Sequence, residues 1–273
     1  MKVYFKDRQY HIRPFCCNYS EKFPLFINFT NFCNAKCAFC INQKKDTNIV
    51  NISDLKLFLD EYSSKVSSVS ISGGEPLLYL KKLNELFKIL KKYDLKVSIN
   101  TNGFFLERSI KVLNKYKLSS IQISRHHYND EINNSIFKVK TIGFDDLKKI
   151  NSKNKYVINC LLIKNYIDSY DEVINYLEQI SEIDVGKVNF ISMMQVNKFT
   201  KDNYVDYKDI ISHVDGRFSK VKDSVDGKRC SCSSYLYMAK NNKIIVVFFK
   251  HTKDTHHTGR SLLYDCDGFQ IGY

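Results

Sequence analysis

From Leu25 onward the chain alternates short runs rich in β-branched residues with longer stretches of helical period. The runs fall at 25–30, 67–72, 96–101, 119–124, 155–163 and 187–193, and the helical stretches at 52–64, 80–93, 106–116, 144–150 and 170–180. A helix that returns the chain between successive strands makes those strands parallel and covers the sheet they form. Six strands connected in this way predict an α/β fold, a partial (β/α)6 barrel of TIM type. Ligands of such a barrel gather at the carboxyl ends of its strands. Leu83, Leu86, Phe87 and Leu90 recur at helical spacing and mark a core stripe. Ser53-Asp54 and Asp168-Ser169 are placed to cap the helices that follow them.

The first expected strand leads into Cys33-Asn34-Ala35-Lys36-Cys37-Ala38-Phe39-Cys40. Three thiols this close, with no fourth cysteine or pair of histidines beside them, suit an iron-sulfur cluster with one open iron better than a closed zinc site. A zinc knuckle, part of a ferredoxin-type site and a chance grouping are the other readings of the bare spacing. The second strand ends in Ser72-Gly73-Gly74-Glu75-Pro76. Its glycines let the backbone approach a ligand with amides and carbonyls free to bond, and its proline fixes the exit of the turn.

The 273 residues suffice for one large domain, or one domain with a small appendage. Residues 1–24 read as a basic, aromatic lead-in, extended or folded as a hairpin on the barrel end; 25–195 as the barrel; 196–273 as a C-terminal cap. No apolar run is long enough to cross a bilayer, and Met1-Lys2-Val3-Tyr4 does not open a signal peptide. The expectation is a soluble cytoplasmic protein with no membrane partner. Nine clustered cysteines then read as metal ligands in a reducing, oxygen-poor compartment, not as a disulfide framework. The formal charge of +13 fits an anionic partner, but abundant Lys, Asn, Ile and Tyr also follow from an AT-rich genome, which makes much of the lysine solvated helix surface.

Taken together, Cys33-x3-Cys37-x2-Cys40 and the Gly-Gly-Glu-Pro segment after the next strand resemble the radical S-adenosylmethionine (radical SAM) superfamily. The resemblance covers approximately residues 26–194 and implies the partial barrel that the alternation predicts separately. It implies that Cys33, Cys37 and Cys40 hold a [4Fe-4S] cluster whose fourth iron takes the amino and carboxylate groups of S-adenosylmethionine (SAM). One electron, from a reducing partner such as flavodoxin or ferredoxin, then splits SAM into methionine and a 5'-deoxyadenosyl radical that abstracts hydrogen from a substrate. The expected enzyme acts on a peptide or small metabolite by crosslinking, rearrangement or epimerisation. The alternative is a nucleotide or nucleic acid, which the positive charge favours; a non-catalytic iron-sulfur or zinc protein is the reading from a different class.

The resemblance also implies SAM contacts at the strand ends. Phe39 is placed to lean on the adenine of SAM or to cover the cluster. Gly73, Gly74 and Glu75 would hold the amino group of its methionine moiety, and Thr101 and Asn102 would touch cofactor or substrate. Ser124 is expected near the ribose, and Arg125 near the carboxylate, where a guanidinium makes charge-assisted pairs. On the fifth strand, alternation turns only one of Asn159 and Cys160 inward. Asn159 is the SAM candidate and Cys160 a small buried apolar residue. His126 and His127 are either packed and loop histidines or substrate contacts; Ser192, Met193, Met194 and Gln195 line the substrate cavity or pack the core.

After about Val196 the strand-helix rhythm stops. Arg229-Cys230-Ser231-Cys232 precedes a β-hairpin turning at Asn241-Asn242, and Cys266 follows. This order loosely resembles the SPASM and twitch appendages that carry auxiliary clusters, with Lys250-His251-Thr252 where the usual cysteine stands. Cys230, Cys232 and Cys266 either hold a second iron-sulfur cluster, with Cys16 or Cys17 available as a fourth ligand, or the appendage persists without a cluster, a case that includes one of these thiols donating a hydrogen atom to a substrate radical. His251, His256 and His257 with Asp254 read as a basic surface loop and not as a metal site.

Overall fold

The computed structural model describes residues 2–6, 8–11, 22–42, 46–221, 233–239, 243–250 and 261–272. Cys16, Cys17, Cys230, Cys232, the Asn241-Asn242 turn and the group around His251, Asp254, His256 and His257 lie outside the described residues. The chain enters through an antiparallel hairpin, β1 (Lys2–Phe5) and β2 (Arg8–His11). Phe5 sets its ring edge on Phe58 and Phe269, at 5.5 and 5.1 Å between centroids.

The six runs legible in the sequence are β3 (Phe23–Asn28), β4 (Val66–Ser72), β5 (Lys96–Thr101), β6 (Ser120–Ser124), β7 (Tyr156–Leu162) and β8 (Val185–Ser192). Each pairs in parallel with the next. The connecting helices are α1 (Ile52–Tyr62), α2 (Leu80–Leu90), α3 (Leu106–Leu113), α4 (Asp130–Phe137), α5 (Phe144–Lys149) and α6 (Tyr170–Ile180). Leu83, Leu86, Phe87 and Leu90 of α2 are buried, as their spacing requires. Each contributes about 1.5–3 kcal/mol of apolar burial. Ser169 caps α6 as expected, but Asn51 caps α1. Its carboxamide oxygen accepts from the Ser53 and Asp54 amides at 3.0 and 3.2 Å, which places both of those residues inside the first turn. Helix α4 was not legible as a helix: its polar Asp130–Phe137 segment depends on the Asn129 cap, which accepts from the Ile132 amide at 3.0 Å.

Two short helices, α7 (Lys198–Asp202) and α8 (Tyr207–Ile211), lead to β9 (Phe218–Lys220), β10 (Ser233–Met238), β11 (Lys243–Lys250), β12 (Ser261–Asp265) and β13 (Gly268–Gly272). The hairpin expected in this region is β10–β11. It does more than cap: β11 lies parallel to β8, and β12 lies parallel to β3 on the opposite edge. Among the described residues the sheet runs β13-β12-β3-β4-β5-β6-β7-β8-β11-β10-β9, and its outermost strands do not pair with each other. The barrel is therefore partial. Among the described residues no helix is long and apolar enough to cross a membrane.

Strand alternation divides the sheet into two faces. Leu25, Ile27, Val69, Ile71, Val97, Ile99, Ile121, Ile123, Ile158, Val188 and Phe190 are buried in one continuous apolar core. The residues between them on β4 to β7, including Ser70, Ser98, Asn100, Gln122 and Asn159, are half-buried. A period of two thus puts aliphatic side chains on one face and small polar ones on the other.

Candidate active site

Past β3 the chain crosses the carboxyl ends of the strands, where Cys33 and Cys37 are half-buried, Cys40 is exposed and none of the three is in a disulfide. The Cys40 amide donates to the Cys37 carbonyl at 3.2 Å, a tight turn that folds the three-cysteine segment on itself. Two more bonds tether the loop: the Lys36 amide to the Phe137 carbonyl, and Asn197 Nδ2 to the Ala38 carbonyl, both at 3.0 Å. Phe39 sets its ring edge on His126 and Phe137, at 4.8 and 6.2 Å. Those aromatic contacts pin the loop over the ends of β6 and β7.

Cys33 Sγ accepts N–H groups from Ala35, at 3.4 Å, and Asn102 Nδ2, at 3.9 Å. Burial pushes this thiol up, with the charges of Glu75 and Cys40 adding to the effect, and the two donors only partly offset it. Among the described residues no three Cys, His, Asp or Glu side chains converge as a single-ion site. A cubane cluster asks for something else, because each cysteine binds a different iron corner. Three cysteines outside any disulfide on one folded loop, together with the Asn34 Nδ2 donor that is buried without a hydrogen-bond partner among the described residues, fit an anionic, sulfur-rich group.

The amides of the Gly-Gly-Glu-Pro turn are spent within the fold. The Gly74 amide donates to the Thr30 carbonyl at 2.6 Å and the Glu75 amide to the Phe32 carbonyl at 2.9 Å, so neither is free for a ligand. A Cβ on Gly74 would stand 2.0 Å from the Phe32 carbonyl oxygen, and one on Gly73, at φ +135°, would stand 2.5 Å from that of Thr30. The glycines are needed because the turn packs directly on the cysteine loop. Glu75 is fully buried: Oε1 accepts from the Leu77 amide at 3.0 Å and from Thr101 Oγ1 at 2.8 Å, and Oε2 accepts from the Asn102 amide at 2.7 Å. Burial pushes its pKa up to about 7 despite these three donors. It is a brace between the second and third strand ends.

Arg125 is held from several sides. Only 1% of the residue is exposed, and its guanidinium donates to the carbonyls of Ile142 and Tyr128 at 2.7 and 3.0 Å, pairs with Asp130, and lies 4.1 Å over the Phe144 ring. Its Nε is buried without a hydrogen-bond partner among the described residues. At the strand end it is Ser124, half-buried on the polar face, that remains oriented with the barrel lining. His126 Nδ1 accepts the Leu161 amide at 3.1 Å, which puts the ring proton on Nε2; burial and then the Arg125 charge pull its pKa down to about 3. His127 Nδ1 accepts the Asn129 amide at 2.9 Å.

The polar face was only partly legible. Asn159, singled out from the sequence, donates to Gln122 Oε1 at 3.2 Å and to Asn100 Oδ1 at 3.5 Å, and accepts from Asn189 Nδ2 at 2.7 Å. Asn100 continues the belt to Ser70 Oγ at 3.1 Å. Asn189 Oδ1 is buried without a hydrogen-bond partner among the described residues. The signal was there, in Ser-Val-Ser-Ile-Ser, Val-Ser-Ile-Asn and Ile-Gln-Ile-Ser, but it appears only when the strands are set side by side. Cys160, by contrast, is fully buried in the apolar core, and Ser192 is buried with its Oγ accepting the Tyr207 amide at 2.8 Å. Cys266 follows β12 at the same end of the sheet as the cysteine loop, and burial, then Asp46, Asp265 and Asp267, push its thiol up.

The family model of the radical SAM superfamily matches residues 27–177, more than half of the chain. The chain belongs to the radical SAM superfamily. Its cofactors are a [4Fe-4S] cluster and SAM, and it is an enzyme. Among curated relatives, GTP 3',8-cyclase of Aquifex aeolicus is 28% identical over 60% of this chain and 58% of that enzyme. GTP 3',8-cyclase of Campylobacter curvus is 27% identical over 73% of this chain and 64% of that enzyme. The chain thus spans about three fifths of the curated relatives it matches. Among solved structures, Streptococcus suis SuiB bound to S-adenosylmethionine has a TM-score of 0.57 and 25% identity, over 66% of this radical SAM chain and 43% of SuiB. SuiB bound to the precursor peptide SuiA superposes equally well, at 24% identity, and shares the fold.

Proposed function

We propose that this radical SAM enzyme acts on a nucleotide, with Cys33, Cys37 and Cys40 as the cluster ligands. The observation that carries the substrate class is the belt of carboxamides and hydroxyls on the barrel's polar face, Ser70, Asn100, Gln122 and Asn189, which Asn159 links together, with Asn189 Oδ1 unpartnered among the described residues. Asn and Gln side chains match the paired donors and acceptors on the edge of a nucleobase. The curated relatives support the same class, since they are named as GTP 3',8-cyclases. A net charge of +13 suits a phosphorylated substrate. This is the alternative raised from the sequence, and it now stands ahead of a peptide or other small metabolite.

The cluster and SAM together supply the reductive cleavage and the hydrogen abstraction. The chain's own residues hold and shield. Phe39, His126 and Phe137 close one side of the mouth against water, and the Nε2–H tautomer of His126 keeps the proton away from the Leu161 amide. Ser124 and Asn159 are assigned to SAM from the polar lining, and Thr101, Asn102 and Glu75 hold the adjoining loops in register. Gly73 and Gly74 set how closely the second strand end seats on the cysteine loop. Arg125 acts through the Tyr128 and Ile142 backbone and not on SAM. A low-potential electron carrier completes the reaction as partner.

The test is anaerobic incubation with SAM, dithionite and either perdeuterated GTP or a deuterated peptide, reading deuterium in 5'-deoxyadenosine. Deuterium from the nucleotide is the expected result. Deuterium from the peptide alone would overturn the substrate class while leaving the radical SAM chemistry intact.

A further inference from the structure

Asn102 Oδ1 accepts the Phe104 amide at 3.0 Å, which fixes the orientation of this carboxamide without ambiguity between its oxygen and nitrogen. Nδ2 consequently faces the cysteine loop, where it donates to Asn34 Oδ1 at 2.9 Å and reaches Cys33 Sγ at 3.9 Å. The same residue's backbone amide is held by Glu75 Oε2 at 2.7 Å, and the preceding Thr101 hydroxyl by Glu75 Oε1. Three directions of hydrogen bonding therefore determine where one N–H group points. Asn34, for its part, spends its oxygen on Asn102 and keeps Nδ2 buried with no hydrogen-bond partner among the described residues. Burying an amide donor unpaired costs about 1–3 kcal/mol, so its survival beside a ligand thiol points to an acceptor supplied by a bound group. Among the described residues Cys40 has no counterpart of the two N–H donors at Cys33, and its Sγ instead lies 3.6 Å from the Asn42 carbonyl.

We propose that the Asn34–Asn102 carboxamide pair is a positioning and tuning device for the cluster, with Asn102 donating to the Cys33 sulfur and Asn34 Nδ2 directed to the bound cluster. The inference rests on Cys33 being a cluster ligand. Hydrogen bonds to cluster sulfurs stabilise the more negative, reduced state and raise its potential. The pair makes the Cys33 corner easier to reduce than a bare thiolate would be, and Glu75 keeps the donor in place from a distance of one strand. Asn102 and Asn34 are thus positioning residues and need not touch substrate.

The experiment is an EPR-monitored redox titration of the anaerobically reconstituted full chain without SAM, with iron and sulfide measured on each sample. Asn102→Ala, Asn102→Ser and Asn34→Ala are compared with wild type. The expected result is retained iron with a more negative midpoint in all three. The loss for Asn102→Ala is roughly tenfold in the reduced-to-oxidised ratio at fixed potential, about 59 mV for one electron. Unchanged midpoints with full iron content would overturn the proposal. Loss of the cluster from both Asn102 variants would also overturn it, assigning Asn102 to assembly instead. A wild-type chain that binds no iron fails the cluster reading itself and is distinguished by the iron assay.

Discussion

Glu75 Oε2 accepts the backbone amide of Asn102 at 2.7 Å, joining the end of β4 to the end of β5 inside a fully buried pocket. The same carboxyl takes the Thr101 hydroxyl and the Leu77 amide. A single side chain thereby fixes the loop that presents Asn102 to Cys33. Glu75→Ala leaves those three donors unpaired in a buried site and is expected to cost about 3 kcal/mol or more. Chemical denaturation measures the loss, and an unchanged midpoint would show that the loop is held by something else.

Glu75 and His126 give opposite pH signatures. The ordinary values are 4.5 for Glu75 and 6.5 for His126; in the folded chain burial moves them to about 7 and about 3. Between about pH 4.5 and 6.5 the unfolded chain carries the proton on His126 and the folded chain carries it on Glu75, so the two counts cancel and this pair leaves stability flat. Glu75→Gln removes one side of the balance. Its stability is expected to rise with pH across that window relative to wild type, by up to about 1.4 kcal/mol per unit. His126→Asn is expected to show the reverse, greatest stability at the acid end and a decline as pH rises through about 7. Parallel stability profiles for wild type and both variants would contradict the assignment.

Gly74→Ala drives a methyl group to within 2.0 Å of the Phe32 carbonyl oxygen, on the loop that carries the cysteines. Neither partner is a flexible side chain, so the cysteine loop itself has to shift. Reconstituted Gly74→Ala is expected to bind less than half the wild-type iron and to lose about 1–3 kcal/mol of stability. Full iron content would mean that the loop can slide without disturbing the thiols.

Arg125 separates a brace from a ligand. Removing its guanidinium breaks bonds to Ile142 and Tyr128 and uncovers the Phe144 ring; its ion pair adds less, because the Asp130 side chain is 55% exposed. Arg125→Ala is expected to lower stability by about 3 kcal/mol, with Arg125→Lys recovering only part because a point charge cannot reach both carbonyls in the same plane. A normal melting temperature combined with abolished SAM binding, read by calorimetry, would restore Arg125 as a direct ligand.

The triple variant Cys33→Ala, Cys37→Ala, Cys40→Ala is expected to lose all cluster iron from a wild-type content of about four per chain. A wild-type content of about eight, with about four surviving in the variant, would locate a second cluster elsewhere and focus attention on Cys230, Cys232 and Cys266; about four in the wild type and about four in the variant would remove Cys33, Cys37 and Cys40 as ligands.

The local sequence determined the parts. Alternating aliphatic residues drew six parallel strands in the right order, because a period of two with one buried face needs no long-range information. The cysteine spacing and the glycine turn identified the superfamily, because both are contiguous in the chain. Tertiary structure decided what those residues touch. Gly74 and Glu75 pair with Thr30 and Phe32, more than forty positions away, and Arg125 turns outward to Ile142 and Asp130 instead of toward the mouth. The parallel places of β11 beside β8 and of β12 beside β3 depend on hydrogen bonds across distant edges, which no periodicity within either strand encodes. The carboxamide belt has the same origin: Asn100, Gln122, Asn159 and Asn189 are each an ordinary polar residue in their own strand, and strand register alone makes them neighbours.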